Sequence, residues 1–195
     1  MTSYDLQGDL KIFLAMVDHL VPYVYEKELF GQISNRYPKL TLGGVLMRRH
    51  RISALRDELA PEQSLAFEEA VQKLETLRYE WLSHYQDKLL QEFHSRINSL
   101  VYFVEDCEVS WNSCDANWPN EAEKRTLVAH VVEEAQSLNI FDTEHRAVLT
   151  KLDQKLRRFF RESAFLWDER LKAAYPFPQY WWLYGRPGRK EEPQN

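Results

Sequence analysis

A stretch rich in basic residues and free of acidic ones lies between residues 36 and 56, in a chain whose formal net charge is −5. Three of its arginines, Arg48, Arg49 and Arg51, closely follow the Gly43-Gly44 pair. Arginine side chains and the free backbone amides at the start of a helix both bind anions. The block 36–56 therefore indicates an anion site for phosphate groups or another polyanion, nucleic acid included.

The alternative for this basic block is pairing with acidic side chains on neighbouring helices, such as Glu68, Glu69 and Glu75. The arginines are not spaced to form one stripe along a helix. The segment also lacks the turn and recognition-helix signature of DNA-reading folds. We therefore expect ion pairing, with nucleic acid as the less favoured partner.

Six aromatic residues occur within ten positions near the end of the chain. They are Tyr175, Phe177, Tyr180, Trp181, Trp182 and Tyr184. Tryptophan and tyrosine are enriched at binding hot spots, so this aromatic segment is a candidate docking surface or the lining of a ligand pocket. Exposing so much apolar area risks aggregation, which favours a segment that folds back and seals a groove between helices. Arg186, which follows it, is positioned to stack on one of the rings.

The chain offers no recognisable metal site. Di-iron helical bundles use Glu-x-x-His pairs, and none occurs in the sequence. The spacing of Cys107 and Cys114 matches no usual zinc pair. On one continuous helix these two cysteines would lie about two turns apart, too far for a disulfide unless the chain unwinds near Trp111. We therefore expect free thiols and neither metal nor other cofactor.

No glycine occurs between Gly44 and Gly185. Glycine-rich phosphate loops and the strained Gly-x-Ser-x-Gly turn are thereby excluded from most of the chain. The absence of such motifs favours a non-catalytic protein, and it leaves open an enzyme that works through a pocket between helices.

The same lack of glycine predicts long helices, because only glycine and proline strongly disfavour helix interiors. Apolar residues at helical spacing indicate an all-α, elongated bundle of five or six helices. We expect a break near Leu20, caused by Pro22, and then a short helix that stops before Pro61. One very long helix over 61–106 follows, then a loop over 111–120 and helices over 119–138 and 142–175. Residues 1–184 are expected to form a single domain, and 185–195 a flexible polar tail.

Composition is typical of a folded globular protein, with 44% hydrophobic and 28% charged residues. The N-terminus lacks the basic and apolar regions of a signal peptide, and no apolar run approaches the roughly 20 residues that cross a bilayer. We therefore expect a cytoplasmic protein with reduced thiols and no membrane partner.

Three functions remain open on the sequence alone. The leading hypothesis is a non-catalytic interaction or scaffolding protein that acts through helix faces and the aromatic segment and binds a protein partner. A helix over 61–106 would be longer than the rest of the molecule. A homodimer that buries the excess of its apolar face is part of this hypothesis. The first alternative is a regulatory polyanion binder that uses the block 36–56. The second is an enzyme or small-molecule binder with a pocket beneath Trp181 and Trp182.

Overall fold

The all-α prediction is confirmed. The computed structural model describes residues 3–188, apart from the side chains of residues 108 and 111–113. In this part of the chain, helices form a bundle around one buried apolar cluster. The helices are α1 (Leu6–Asp18), α2 (Leu20–Tyr25), α3 (Leu42–Ala54), α4 (Pro61–Glu80), α5 (Leu82–Val109), α6 (Trp111–Ser137) and α7 (Thr143–Arg157). Two short strands, β1 (Phe160–Glu162) and β2 (Gly185–Pro187), pair antiparallel.

The long helix of the bundle is α5, with 28 residues, and not one helix over 61–106. The backbone leaves helical geometry at Trp81 (φ −115°, ψ 31°), which separates α4 from α5. This break lets the two apolar stripes pack on different neighbours, α4 on α1 and α5 on α6. Packing therefore overrides a local sequence that contains neither glycine nor proline at this point.

The predicted loop over 111–120 is instead the first third of α6, with Pro119 inside the helix. A proline costs a helix one backbone hydrogen bond. Here the turn is held by Trp118, which is fully buried and donates from its Nε1 to the carbonyl oxygen of Gly185 at 2.8 Å. Tertiary contacts of this tryptophan therefore outweigh the local preference of the loop-like sequence.

Cys107 and Cys114 form a disulfide, with their Cα atoms 5.0 Å apart, so the expectation of free thiols is wrong. The expectation assumed one continuous helix around these residues. In the structure α5 ends and α6 begins on either side of Ser110, whose backbone is extended (φ −139°, ψ 97°). The reversal at Ser110 brings the two cysteines together. A cytoplasmic location therefore has no support from reduced thiols.

The predicted helix over 142–175 ends early, at Arg157. Its beginning is as expected, because Asp142 accepts a hydrogen bond from the backbone amide of His145 at 2.9 Å. Residues 185–187 form β2 rather than part of a polar tail, and the rest of the predicted tail, 189–195, lies outside the described residues. Gly185 is required there, since a Cβ atom would lie 2.1 Å from the carbonyl oxygen of Arg161.

The break near Leu20 is confirmed, because α1 ends at Asp18 and α2 begins at Leu20. The Gly43-Gly44 pair lies in the first turn of α3. There Thr41 Oγ1 accepts from the amide of Gly44, and the buried Glu92 accepts from the amide of Gly43 at 2.9 Å. A carboxylate at this end also complements the helix dipole, so the start of α3 already holds an anion of the protein itself.

Candidate functional site

The basic block does not form one cationic surface. Arg48 and Arg51 point into the bundle, where each is only 9% exposed. Arg48 Nε lies 3.0 Å from Asp9 Oδ1, and Arg51 Nη1 lies 4.0 Å from Asp9 Oδ2. Burial lowers the pKa of Arg48, and the charge of Asp9 opposes that shift. These two arginines are therefore interior cations that share one carboxylate.

Arg49 faces α4 and pairs with Glu75 at 2.9 Å. Farther along, Arg56 pairs with Glu68. Two of the three acids named from the sequence are therefore the partners in the structure, as the ion-pairing interpretation expects. With Arg48 and Arg51 buried, these contacts give no support to a polyanion-binding surface at Arg48, Arg49 and Arg51.

The aromatic segment lies in the core, apart from Phe177, which is 54% exposed. Tyr180, Trp181 and Trp182 are buried, and Tyr184 is half-buried. Trp182 Nε1 donates to Thr126 Oγ1 at 2.9 Å. These contacts agree with the interpretation that the segment folds back and seals a groove, and they leave its main rings inaccessible to a docking partner.

Arg186 does not stack on a ring within the described residues. Its Nη1 lies 3.5 Å from Asp115 Oδ1, and both side chains are about half exposed. Arginines from elsewhere take the ring faces instead, and no sequence pattern singles them out.

Four aromatic rings, that of Trp167 and three from the aromatic segment, pack one against the next in a row. Successive ring centroids are 4.9 Å apart from Trp167 to Tyr175, 4.9 Å from Tyr175 to Tyr180, and 5.5 Å from Tyr180 to Trp182. An arginine lies over each end: Arg51 is 4.2 Å from the Trp167 ring, and Arg125 is 3.9 Å from the Trp182 ring. A cavity opens at each of these arginines.

We call the cavity at the Trp182 end the tryptophan pocket; it has a volume of about 310 Å³. Its lining comprises Arg125, Ala129, Val132, Glu133, Leu149, Asp153, Arg157, Pro178, Gln179, Trp181 and Trp182. A pocket beneath Trp181 and Trp182 belonged to the second alternative drawn from the sequence, and a cavity lined by these two residues is present. Its arginines were missed, because Arg125 and Arg157 lie on different helices and belong to no motif.

Arg125 is the most constrained polar group of the tryptophan pocket. It is 4% exposed, and its Nε and Nη2 atoms each donate to the Asp153 carboxylate at 2.8 Å. Its third nitrogen, Nη1, is buried and has no hydrogen-bond partner among the described residues. Arg157 lies 4.0 Å over the Trp181 ring and forms no ion pair with a described residue. Two guanidinium groups therefore present unused N–H donors beside two indole rings.

The cavity at the Trp167 end, here called the N-terminal pocket, has a volume of about 340 Å³. It is lined by Ser3, Tyr4, Asp5, Arg51, Glu123, Leu166, Trp167, Asp168 and Leu171. One arginine and three carboxylates thus face the same space. The tryptophan pocket, by contrast, holds two arginines and two carboxylates.

A hydrogen-bonded chain lies between the two pockets. His130 Nδ1 is 3.4 Å from Glu133 Oε2, and His130 Nε2 is 3.4 Å from the hydroxyl oxygen of Tyr175. His50 Nε2 lies 2.7 Å from the carbonyl oxygen of Ala174, which can only accept, so this nitrogen carries the proton. The chain joins α6 to the aromatic segment, and the ring of His50 on α3 packs 4.8 Å from the ring of His130.

Burial sets the protonation of this chain. It lowers the pKa of His130, although the contact with Glu133 opposes the shift. It raises the pKa of Tyr175 to about 12. Burial also acts to raise the pKa of Glu133, but hydrogen bonds from His130 and Tyr180 outweigh it, so that this pKa is lowered. A carboxylate, a neutral imidazole and a neutral phenol result. Tyr175 is fully buried, which suits positioning rather than catalysis.

Within residues 3–188, no group of three or more histidine, cysteine, aspartate or glutamate side chains is arranged to hold a metal ion. None of the helices in this range combines the length and apolar character needed to cross a membrane. Comparison with protein-family models, curated proteins and solved structures found no match. The two pockets are therefore the basis for assigning a function.

Proposed function

We propose that this protein binds a small organic monocarboxylate in the tryptophan pocket. The observation that carries the proposal is the buried, unpartnered Nη1 of Arg125. A buried donor without a partner costs roughly 1–3 kcal/mol, and a ligand carboxylate would remove that cost. Arg157 supplies a second guanidinium for the other carboxylate oxygen.

The charges of the lining residues and the volume of the cavity limit the class of ligand that can bind. Asp153 and Glu133 bring two negative charges to the same cavity, which disfavours a phosphate dianion relative to a single carboxylate. Trp181, Trp182 and Leu149 provide apolar and aromatic walls for the body of the ligand. A volume of about 310 Å³ lies at the small end of the usual range of ligand pockets. An aliphatic or aromatic acid fits this combination.

The test is calorimetric titration with phenylacetate and hexanoate, with phenylethylamine and inorganic phosphate as comparison ligands. We expect saturable binding of the two acids and none of the amine or of phosphate. Arg157→Ala should weaken binding about tenfold, the equivalent of about 1.4 kcal/mol. Arg158→Ala is the matched control, because Arg158 is the next residue along the chain and does not line the pocket. Equal losses in both variants, or no saturable binding of either acid, would refute the proposal.

Partner binding through helix faces is the second candidate function, and a groove between α1 and α4 favours it. The groove has a volume of about 600 Å³ and includes Val17, the 47% exposed Val21, and Leu77. Three acids, Asp18, Glu69 and Glu80, line it against one lysine, Lys73, which already pairs with Asp18. This chemistry suits a basic amphipathic helix of another protein.

A synthetic basic amphipathic peptide provides the direct test of the groove. Val21→Asp should abolish its binding, whereas Val148→Asp, at a 39% exposed valine on α7, should not. Light scattering distinguishes a second copy of the chain as the occupant: a mass near 23.3 kDa at high concentration excludes the homodimer. Binding that both variants retain would count against the groove.

A further inference from the structure

We infer that the N-terminal pocket is a second ligand site, built for a zwitterion of the size of a free amino acid with an apolar side chain. This site is separate from the tryptophan pocket and takes a ligand of different charge. The inference rests on how the charges are distributed between the floor and the rim of the cavity.

Arg51 gives the pocket a cationic floor, and Arg48, which does not line the pocket, shares a buried carboxylate with it. Arg48 and Arg51 are two buried guanidinium groups, and among the described residues the buried acid that pairs with them is Asp9 alone. Asp9 is nearer to Arg48, at 3.0 Å, than to Arg51, at 4.0 Å, and it also accepts a hydrogen bond from the Tyr4 hydroxyl. Buried charges are stable only when they are paired, and Arg51 has the longer of the two contacts with Asp9, while the charge of Glu123 at the rim also acts on it.

Arg51 is also prepared to receive an anion. Its guanidinium lies 4.2 Å over the centroid of the Trp167 ring and 5.9 Å from that of the Tyr175 ring, and these two rings fix its orientation. Its Nε is buried and has no hydrogen-bond partner among the residues described. Because stacking uses the face of a guanidinium and leaves its N–H edge free, Arg51 retains a donor for a carboxylate.

The rim of the pocket is anionic. Asp5 caps α1 by accepting from the Gly8 amide, and Asp168 accepts from the amides of Tyr4 and Arg170. These backbone bonds hold the two carboxylates in place. The third acid, Glu123, is exposed and makes no ion pair with any residue that the structure describes. Asp168 is also paired with Arg170 at 3.5 Å, so the repulsion of a polyanion and the attraction of an ammonium group come mainly from Asp5 and Glu123.

The combination excludes the simpler ligand classes. An anion without an ammonium group would be repelled by the rim carboxylates. A cation without a carboxylate would be repelled by Arg51 at the floor. A molecule with a carboxylate at one end and an ammonium at the other satisfies both. Leu166 and Leu171 provide an apolar wall, and about 340 Å³ accommodates an amino acid with its side chain.

The experiment compares three ligands by calorimetry on the intact protein: phenylalanine, phenylalaninamide, which lacks the carboxylate, and N-acetylphenylalanine, which lacks the ammonium. We expect phenylalanine to bind saturably and each analogue to bind about tenfold more weakly or worse, with N-acetylphenylalanine titrated into Arg157→Ala so that the tryptophan pocket does not contribute. Glu123→Gln should weaken phenylalanine about fivefold and should not weaken N-acetylphenylalanine, which has no ammonium group and is repelled by the carboxylate. Glu121→Gln is the matched control, since Glu121 is on the same helix, pairs with Lys124 and does not line the pocket.

A parallel titration of Arg157→Ala separates this site from the tryptophan pocket. Phenylalanine binding that survives Arg157→Ala but falls in Glu123→Gln supports the inference even if no monocarboxylate binds elsewhere. Phenylalanine binding that disappears in Arg157→Ala belongs to the tryptophan pocket and overturns it. Equal affinities for the three ligands, absence of saturable binding, or equal effects of Glu123→Gln and Glu121→Gln would also overturn it.

Discussion

Removing the charge of Asp9 tests the interior ion cluster directly. Asp9 is 8% exposed, accepts from the Tyr4 hydroxyl at 2.7 Å and neutralises Arg48 at 3.0 Å. In Asp9→Asn the amide oxygen can still accept from Tyr4, so the neutral hydrogen bond survives. What is lost is the negative charge that faces both Arg48 and Arg51.

The expected loss in the free energy of unfolding follows from the burial of this ion pair. Taking one partner from a buried ion pair typically costs about 3–5 kcal/mol, because the remaining charge stays out of water. We expect about 3 kcal/mol for Asp9→Asn, since the Tyr4 contact is kept. For a chain of this size that corresponds to a fall in Tm of about 6–12 °C.

Asp18→Asn is the matched control. Asp18 is also in α1 and pairs with Lys73 at 3.1 Å, but both of these side chains are more than half exposed. An exposed pair contributes about 0–1 kcal/mol. Urea unfolding followed by circular dichroism gives both free energies of unfolding. A loss of unfolding free energy below about 1 kcal/mol in Asp9→Asn, or one no larger than in Asp18→Asn, would contradict this reasoning. It would mean that the variant leaves no uncompensated buried charge, and the description of the N-terminal pocket as having a cationic floor would then be wrong.

Three further predictions concern stability. Gly43→Ala should cost about 1–3 kcal/mol in a thermal melt, because a Cβ atom would lie 2.6 Å from Oε1 of the fully buried Glu92; an unchanged Tm would contradict this. Cys107→Ser should cost about 2–3 kcal/mol by loss of chain restriction in the unfolded state, and a reductant should reproduce that loss in the wild type but leave the variant unaffected. The lowered pKa of His130 means that the unfolded state binds the proton more tightly, so stability should fall as the pH drops below about 6.5 and level off below the folded pKa. Urea unfolding of His130→Gln should show a flatter profile between about pH 7 and 5, above the range in which Glu133 titrates; an unaltered slope would assign the pH dependence to other groups.

The helices were predictable because their signal is local. Apolar residues at helical spacing and the Asp142 cap appear directly in the sequence, and the proline at position 22 marks the break near Leu20. The break at Trp81 leaves no such mark. It arises because α4 and α5 pack on different helices, which is a property of the assembled bundle. Helix boundaries set by tertiary packing are therefore the ones that could not be found from the sequence.

The disulfide shows how one wrongly predicted helix boundary leads to a wrong prediction for the cysteines. Cys107 and Cys114 would indeed lie too far apart on a continuous helix. A single extended residue, Ser110, turns the chain back and reverses the conclusion. Nothing in the composition of the segment 111–120 marks it as helical, because its stability comes from the burial of Trp118.

The candidate site was half predictable for a similar reason. Trp181 and Trp182 were selected because aromatic residues concentrate there, which is a one-dimensional signal. Arg125 and Arg157 were not, because single arginines on charged helices have no distinguishing neighbours. Only the fold reveals that each lies about 4 Å from an indole ring.

The basic block and the aromatic segment, separate in sequence, form one unit in the structure. Arg51 of the block lies over Trp167 and 5.9 Å from the ring centroid of Tyr175 in the segment, and His50 Nε2 donates to the carbonyl oxygen of Ala174. Stacking on a ring compensates an arginine for lost water without using its N–H edge. Arg51 and Arg125 each keep one buried nitrogen without a hydrogen-bond partner among the described residues, Arg125 although two of its other nitrogens donate to Asp153. An unpartnered donor therefore lies at each end of the row of aromatic rings, which is why we propose a ligand at each end.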